Sequence, residues 1–178
     1  HTYKFNEDLF KKVTITPDGK NHGLIFILDW SGSMGEYLID TLKQMYNLIW
    51  FCDKVNIPFD VYAFTNHYGN ADPDFPNMKE EVGKLFVHDD FKLLNYVTSG
   101  GTKADLNTQL LNLWRLAYGY CYWAGFTTPA QFALSGTPLN ESIVCLHKII
   151  PAFKKKHNIQ KVQCVVLSDG EANALHYL

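Results

Sequence analysis

The sequence lacks the marks of several broad protein classes. No apolar run approaches the roughly 20 residues that a membrane-spanning helix needs. The formal net charge is only −2 over 178 residues, so no excess of positive charge indicates a nucleic-acid or anionic membrane partner. The four cysteines are scattered, and no two of them form a C-x-x-C pair. We therefore expect free, buried thiols in a reducing compartment, with the cytoplasm as the location.

Motifs of several enzyme classes are also missing. The chain has no His-Glu-x-x-His zinc motif and no Gly-x-x-x-x-Gly-Lys-Ser/Thr phosphate-binding loop. Ser33 has a glycine two residues after it but none two residues before it, so the elbow of a serine hydrolase is incomplete. We therefore expect a binding function rather than catalysis, with a hydrolase as a disfavoured alternative.

The apolar pattern predicts one α/β domain. The chain is 47% hydrophobic and 15% aromatic, which is ample for a packed core. A strand, a long amphipathic helix and a second strand follow one another and predict a βαβ unit with parallel strands. The fold class is therefore a Rossmann-like, doubly wound, mostly parallel sheet flanked by helices. The predicted strands are 23–28, 59–64, 91–97 and 162–167, and the predicted helices are 36–56, 104–123 and 138–157.

Three further features complete this organisation. Residues 1–22 read as a lead-in, residues 23–178 as the domain, and residues 66–135 as an insertion-like region within it. The aromatic residues of the helix 104–123 are interpreted as packing rather than as a ligand cage. The basic cluster 154–157 is interpreted as the solvated last turn of a helix, where cations are favourable.

Polar side chains follow two of the predicted strands at the point where each strand ends. Asp29, Ser31 and Ser33 come directly after the strand 23–28, and Asp169 follows the strand 162–167. Because ligands of open α/β sheets bind at the carboxyl ends of the strands, we expect these side chains to meet if the two strands are neighbours. Carboxylate and hydroxyl oxygens suit Mg²⁺ or Mn²⁺.

A third segment contributes a threonine to this predicted site. In Gly136-Thr137-Pro138, Thr137 is suited to cap a helix and Pro138 to its first helical position. The helix that follows leads into the strand that carries Asp169. Hydroxyls of the two serines and Thr137 would ligate the cation directly, while the two aspartates would hold its waters and orient the hydroxyls.

This arrangement resembles the von Willebrand factor A domain and its metal-ion-dependent adhesion site. The family pattern is Asp-x-Ser-x-Ser, a threonine in a loop, and an aspartate after a central strand. The likeness covers residues 23–178 and is closest to cobalt-chelatase T-type subunits and to phage proteins with this domain. Ser99-Gly-Gly-Thr102 also resembles the threonine loop, so Thr102 is the alternative ligand. The matching residues are Asp29, Ser31, Ser33, Thr137 and Asp169.

The resemblance implies a function and a partner. It implies Mg²⁺ (or Mn²⁺) bound at the site and an Asp or Glu carboxylate of a partner protein captured by that ion. The chelatase likeness implies an AAA+ ATPase as a candidate partner, and no nucleic acid or membrane is implied. The phage likeness offers a virion or assembly scaffold as an alternative, and a peptidase as a weaker one. Family members continue beyond the strand that carries Asp169, so the resemblance also implies a truncated chain.

Overall fold

The computed structural model describes residues 22–66, 81–87, 90–122 and 129–177. The predicted lead-in, apart from His22, and residues 67–80 of the insertion-like region lie outside this range. A short 3₁₀ helix precedes the first long helix, and another covers Ala130–Phe132. The strands are β1 (His22–Asp29), β2 (Phe59–Asn66), β3 (Leu85–Phe86), β4 (Phe91–Thr98), β5 (Lys161–Leu167) and β6 (His176–Tyr177), and the helices are α1 (Leu38–Lys54), α2 (Lys103–Tyr122) and α3 (Leu139–His157).

Four of the strands form one sheet in the order β4-β2-β1-β5. β1 pairs in parallel with β2 on one side and with β5 on the other, whereas β4 runs antiparallel to β2. β3 and β6 form a separate two-stranded antiparallel sheet. The predicted α/β class with a mostly parallel sheet is therefore confirmed.

Helices cover both faces of the sheet. Phe26 and Leu28 of β1 face the core formed with α1 and α2, while Ile25 and Ile27 face the core formed with α3. All four side chains are fully buried. Because β1 is buried on both faces, it reads as a continuous apolar run rather than an alternating one. This two-sided winding brings the ends of β1 and β5 together at one edge.

β5 differs from its prediction as a buried strand. Among the described strands, β1 is its only neighbour in the sheet, and its burial alternates between exposed and half-buried. The side chain of Val166 is 42% exposed, and the thiol of Cys164, which we expected to be buried, is exposed as well. An apolar run shows only that a strand is hydrophobic, and it does not show how many neighbours the strand has.

The start of α3 also corrects a prediction. Thr137 does not cap the helix, because Pro138 occupies the cap position and no side chain there bonds to the first turn. The Thr137 carbonyl accepts hydrogen bonds from the backbone N–H groups of Leu139 (2.9 Å) and Asn173 (3.1 Å). Thr137 thus joins the chain before α3 to the segment after β5.

We predict that Gly23→Ala destabilises the packing of α3 on β1. A Cβ at this buried position would lie 2.5 Å from Ile159 Cδ1 and 2.6 Å from Phe153 Cε1. Overpacking of this kind lowers the free energy of unfolding by about 1–3 kcal/mol. Urea denaturation of both proteins measures the change. Gly35→Ala is the matched control, because its Cβ meets nothing closer than 4.0 Å; equal stability of the Gly23 variant would contradict the packing described.

Candidate metal centre

The pairing of β1 with β5 sets the geometry of the predicted site. Leu28 pairs with Leu167 at the carboxyl end of the two strands. The next residue on each chain is polar, so Asp29 and Ser168 lie side by side. The Ser168 hydroxyl donates a hydrogen bond of 2.5 Å to Asp29 Oδ2. The register of one parallel pair therefore brings together residues that are 139 positions apart.

Asp29 is fully buried, and both of its carboxyl oxygens accept hydrogen bonds. The backbone N–H of Ser31 donates to Oδ1 at 2.9 Å, and the Ser168 hydroxyl occupies Oδ2. The two ion pairs found among the described residues, Lys43–Asp40 and Lys84–Glu81, do not involve it. A buried carboxylate without a cationic partner is costly. The site therefore favours a cation close to Asp29.

A chain of hydroxyls runs from the buried interior to the surface. The Ser31 and Ser33 hydroxyl oxygens lie 3.0 Å apart, and the Ser33 hydroxyl donates to Asp169 Oδ1 at 3.0 Å. Ser31 is fully buried, whereas Ser33 and Asp169 are exposed. One end of the group is thus held by the core, and the other end is open to solvent.

Backbone hydrogen bonds hold the loop that carries the serines. The Trp30 N–H donates to the carbonyl of Phe64 at the end of β2, and the Ser135 N–H donates to the Trp30 carbonyl. The Gly32 N–H donates to the Ser135 carbonyl at 2.8 Å. The buried Trp30 indole N–H also bonds to the carbonyl of Phe132 at 2.6 Å. The loop is therefore fixed on two sides before any ligand binds.

Thr137 lies beside this group but does not join its hydrogen bonds. It follows Ser135 by two residues, and Ser135 pairs with Ser31 in an isolated parallel bridge. Its half-buried hydroxyl makes no hydrogen bond to any described residue. Asn173 and Asn140 hold the backbone nearby, since the Asn140 amide donates to the Asn173 carbonyl at 2.9 Å. The Thr137 hydroxyl is therefore available for a ligand.

The structure does not bring Thr102 to this edge of the sheet. The segment before Thr102 is attached to the start of β2, where the Ser99 N–H donates to the Phe59 carbonyl. Asp29 pairs with Phe64 near the other end of β2. At about 3.3 Å per residue, Phe64 lies about 16 Å along the strand from Phe59. Thr102 instead caps α2: it exchanges side-chain to backbone hydrogen bonds with Asp105 in both directions.

The oxygen spacing fits a divalent cation. In octahedral coordination by Mg²⁺, neighbouring ligand oxygens lie about 3 Å apart, and the hydroxyl oxygens of Ser31 and Ser33, the two serines proposed as ligands, are 3.0 Å apart. A hydrogen bond and a shared cation require the same spacing here, so the hydroxyls need little movement to become ligands. No group of three or more His, Cys, Asp or Glu side chains able to hold a metal occurs among the described residues. The oxygens gathered at this edge of the sheet are instead mostly hydroxyl groups.

Sequence reasoning did not single out Ser168, although its side chain belongs to this group of hydrogen-bonded residues. Its hydroxyl bonds to Asp29, and it also accepts from the Gly170 N–H at 3.3 Å. It therefore connects the buried carboxylate to the turn that carries Asp169. The signal was present in the sequence, because Ser168 and Asp29 each follow the last apolar residue of a parallel strand.

Comparison with known proteins finds no match to this chain among protein-family models, curated proteins or solved structures. The described helices include none that is both long and apolar enough to cross a membrane. The interpretation of the site therefore depends on the hydrogen bonds, distances and burial of the residues described above.

We predict that Ser168→Ala destabilises the fold even without metal. The substitution removes the donor to Asp29 Oδ2 and leaves a buried carboxyl oxygen without that partner. An unsatisfied buried acceptor costs about 1–3 kcal/mol of unfolding free energy, which urea denaturation can measure. Ser168→Thr keeps a hydroxyl and should retain most of the stability. A Ser168→Ala protein as stable as the parent would show that this hydrogen bond is not needed.

Proposed function

We propose that this protein is a metal-dependent protein-interaction module of the von Willebrand factor A type, with the site at the ends of β1 and β5. The observation that supports it most strongly is the fully buried Asp29, which has no cationic side-chain partner among the described residues and adjoins a run of hydroxyls. A buried negative charge of this kind is stabilised by a bound cation. Mg²⁺ or Mn²⁺ suits oxygen donors of this type.

The residues divide into ligands and supports. Ser31, Ser33 and Thr137 would hold the ion through neutral hydroxyls. Asp169 accepts from Ser33, and Asp29 accepts from the Ser31 backbone, so the two carboxylates orient the serine loop. A cation held mostly by neutral oxygens keeps much of its attraction for an anion. The bound ion would therefore supply an electrostatic binding site for a carboxylate.

The exposed end of the site indicates where a partner binds. Ser33 and Asp169 are open to solvent, so an Asp or Glu side chain of another protein can reach the ion without any opening of the fold. The resemblance to chelatase subunits suggests an AAA+ ATPase as that partner. The hydrolase alternative gains no support, since no hydrogen bond joins a serine or cysteine to a histidine in the described part of the chain.

The first test is metal binding by the exposed end of the site. Calorimetric titration with Mg²⁺ and Mn²⁺ should show saturable binding to the parent protein. Asp169→Ala should weaken it at least tenfold, roughly the effect expected for supports of a metal site. Asp169 is exposed, so the variant should fold. Glu171→Gln is the matched control, because Glu171 is an exposed acid two residues away and should leave the affinity unchanged.

Two results would overturn the proposed site. One is the absence of saturable metal binding by the folded parent protein. The other is an equal affinity of the parent and the Asp169→Ala variant, since the ion would then lie elsewhere.

If metal binds as expected, a labelled Glu-rich peptide should be retained in Mg²⁺ and released by a chelator. A peptide that binds equally in both conditions would exclude capture through the ion.

The second test separates the two threonines. Thr137→Ala removes the free hydroxyl beside the serines and should weaken Mg²⁺ binding in calorimetry. Thr102→Ala should leave Mg²⁺ binding unchanged and instead lower the unfolding free energy by about 1 kcal/mol, because it removes a helix cap. The reverse pattern, with metal affinity lost in the Thr102 variant, would assign the ligand to the other loop.

A further inference from the structure

The outer surface of α1 and α2 exposes an unusual number of large apolar side chains. Eight of the twelve exposed large hydrophobic residues in the described part of the chain lie on or next to these two helices. The aromatic residues of α2 were interpreted as packing, yet Tyr118 and Tyr122 are exposed and contact each other with tilted rings whose centroids are 4.7 Å apart. The eight are Tyr37, Leu48, Trp50, Phe51, Val55, Leu111, Tyr118 and Tyr122.

A groove of about 560 Å³ lies between the two helices on this surface. Its floor is Tyr46, whose hydroxyl donates to the Leu110 carbonyl at 2.6 Å. The Tyr46 ring lies between two indoles, with centroids 6.1 Å from Trp50 and 6.2 Å from Trp114. Burial raises the pKa of Tyr46 above its ordinary value, so the phenol stays a neutral donor in this bond. The groove is therefore walled by rigid aromatic rings.

The polar groups that line the groove are mostly unused donors. The indole N–H groups of Trp50 and Trp114 make no hydrogen bond to any described residue, and neither do the side-chain amides of Asn47 and Asn107. Lys43 is the only charged residue among those that line it, and its ammonium group is already paired with Asp40 at 2.7 Å. Aromatic faces combined with free N–H donors complement a ligand that is apolar and carries hydrogen-bond acceptors.

We propose that this groove binds a proline-rich segment of a partner protein in the polyproline II conformation. Such a segment has apolar rings that pack on aromatic side chains, and its backbone carbonyls have no internal hydrogen bonds. Proline has no backbone N–H, so the ligand presents acceptors to the donors of the groove. The length also fits: Lys43 to Trp50 spans about 10 Å of helix, and one turn of polyproline II is about 9 Å long.

Two other occupants match the surface less well. The carbonyls of an amphipathic helix are bonded within the helix, so they would leave the indole and amide donors without acceptors. A second copy of this surface would place the same indole N–H donors against each other. The surplus of donors thus favours a ligand whose backbone acceptors are free.

Titration of the full chain with a peptide of about ten prolines tests the proposal by calorimetry and tryptophan fluorescence. Binding should saturate below about 1 mM, and a Gly/Ser peptide and an Ala-rich helical peptide of equal length should not bind. Trp50→Ala should raise the Kd at least about tenfold, as expected for a central aromatic contact. Asn107→Leu, which keeps the size but removes the donor, should also weaken binding.

Phe51→Ala is the matched control. Phe51 is 58% exposed and Trp50 is 53% exposed, but Phe51 does not line the groove. Its substitution should change the Kd less than about twofold. The proposal is overturned if the proline peptide fails to saturate, if the helical peptide binds as well, or if the two substitutions have equal effects. Mg²⁺ should not alter the affinity, so this result is independent of the metal site.

Discussion

The parallel pairing of β1 with β5 is the constraint on which the rest of the site depends. It makes Asp29 and Ser168 neighbours across the sheet, and the Ser168 hydroxyl then fixes one oxygen of a buried carboxyl group. The turn after Ser168 carries Asp169 to the Ser33 hydroxyl. Loss of this register by a single residue would point the side chains to the opposite face of the sheet.

The site combines two kinds of environment that rarely occur in one small group. Asp29 and Ser31 are fully buried and held by hydrogen bonds to the backbone and to Ser168. Ser33 and Asp169 are exposed. The buried half can be preorganised because the core excludes water from it. The exposed half can meet a partner because its side chains are open to solvent, and the proposed function requires both properties.

The sequence predicted which side chains the sheet brings together better than it predicted how each of them is held. Apolar runs that end in Asp29 and in Asp169 are readable because parallel strands share their carboxyl edge. Such runs do not report neighbours, so the exposed edge of β5 was not predictable from Val165, Val166 and Leu167. The capping role expected of Thr137 was wrong because the helix begins one residue later than predicted, with Pro138 at the cap position.

The aromatic residues of α2 show a second limit of prediction from sequence. Helical periodicity identifies a stripe of side chains, but it does not show whether another element covers that stripe. Tyr118 and Tyr122 follow Trp114 along α2 and were assigned to packing, although they are exposed. Only the position of α1 beside α2 reveals that Trp114, together with Leu110 and Leu111, lines a groove between the two helices.

The direction of the strands has a mechanical consequence. The serine loop extends from β1 and the Asp169 turn extends from β5, so tension applied at this edge acts along the axes of both strands. The hydrogen bonds between them run across those axes from His22 and Lys161 to Leu28 and Leu167. Such a load pulls both strands in the same direction, so it does not slide one strand past the other and does not peel the pair apart from one end. If a partner is captured at this edge as proposed, its pull would be shared by β1 and β5.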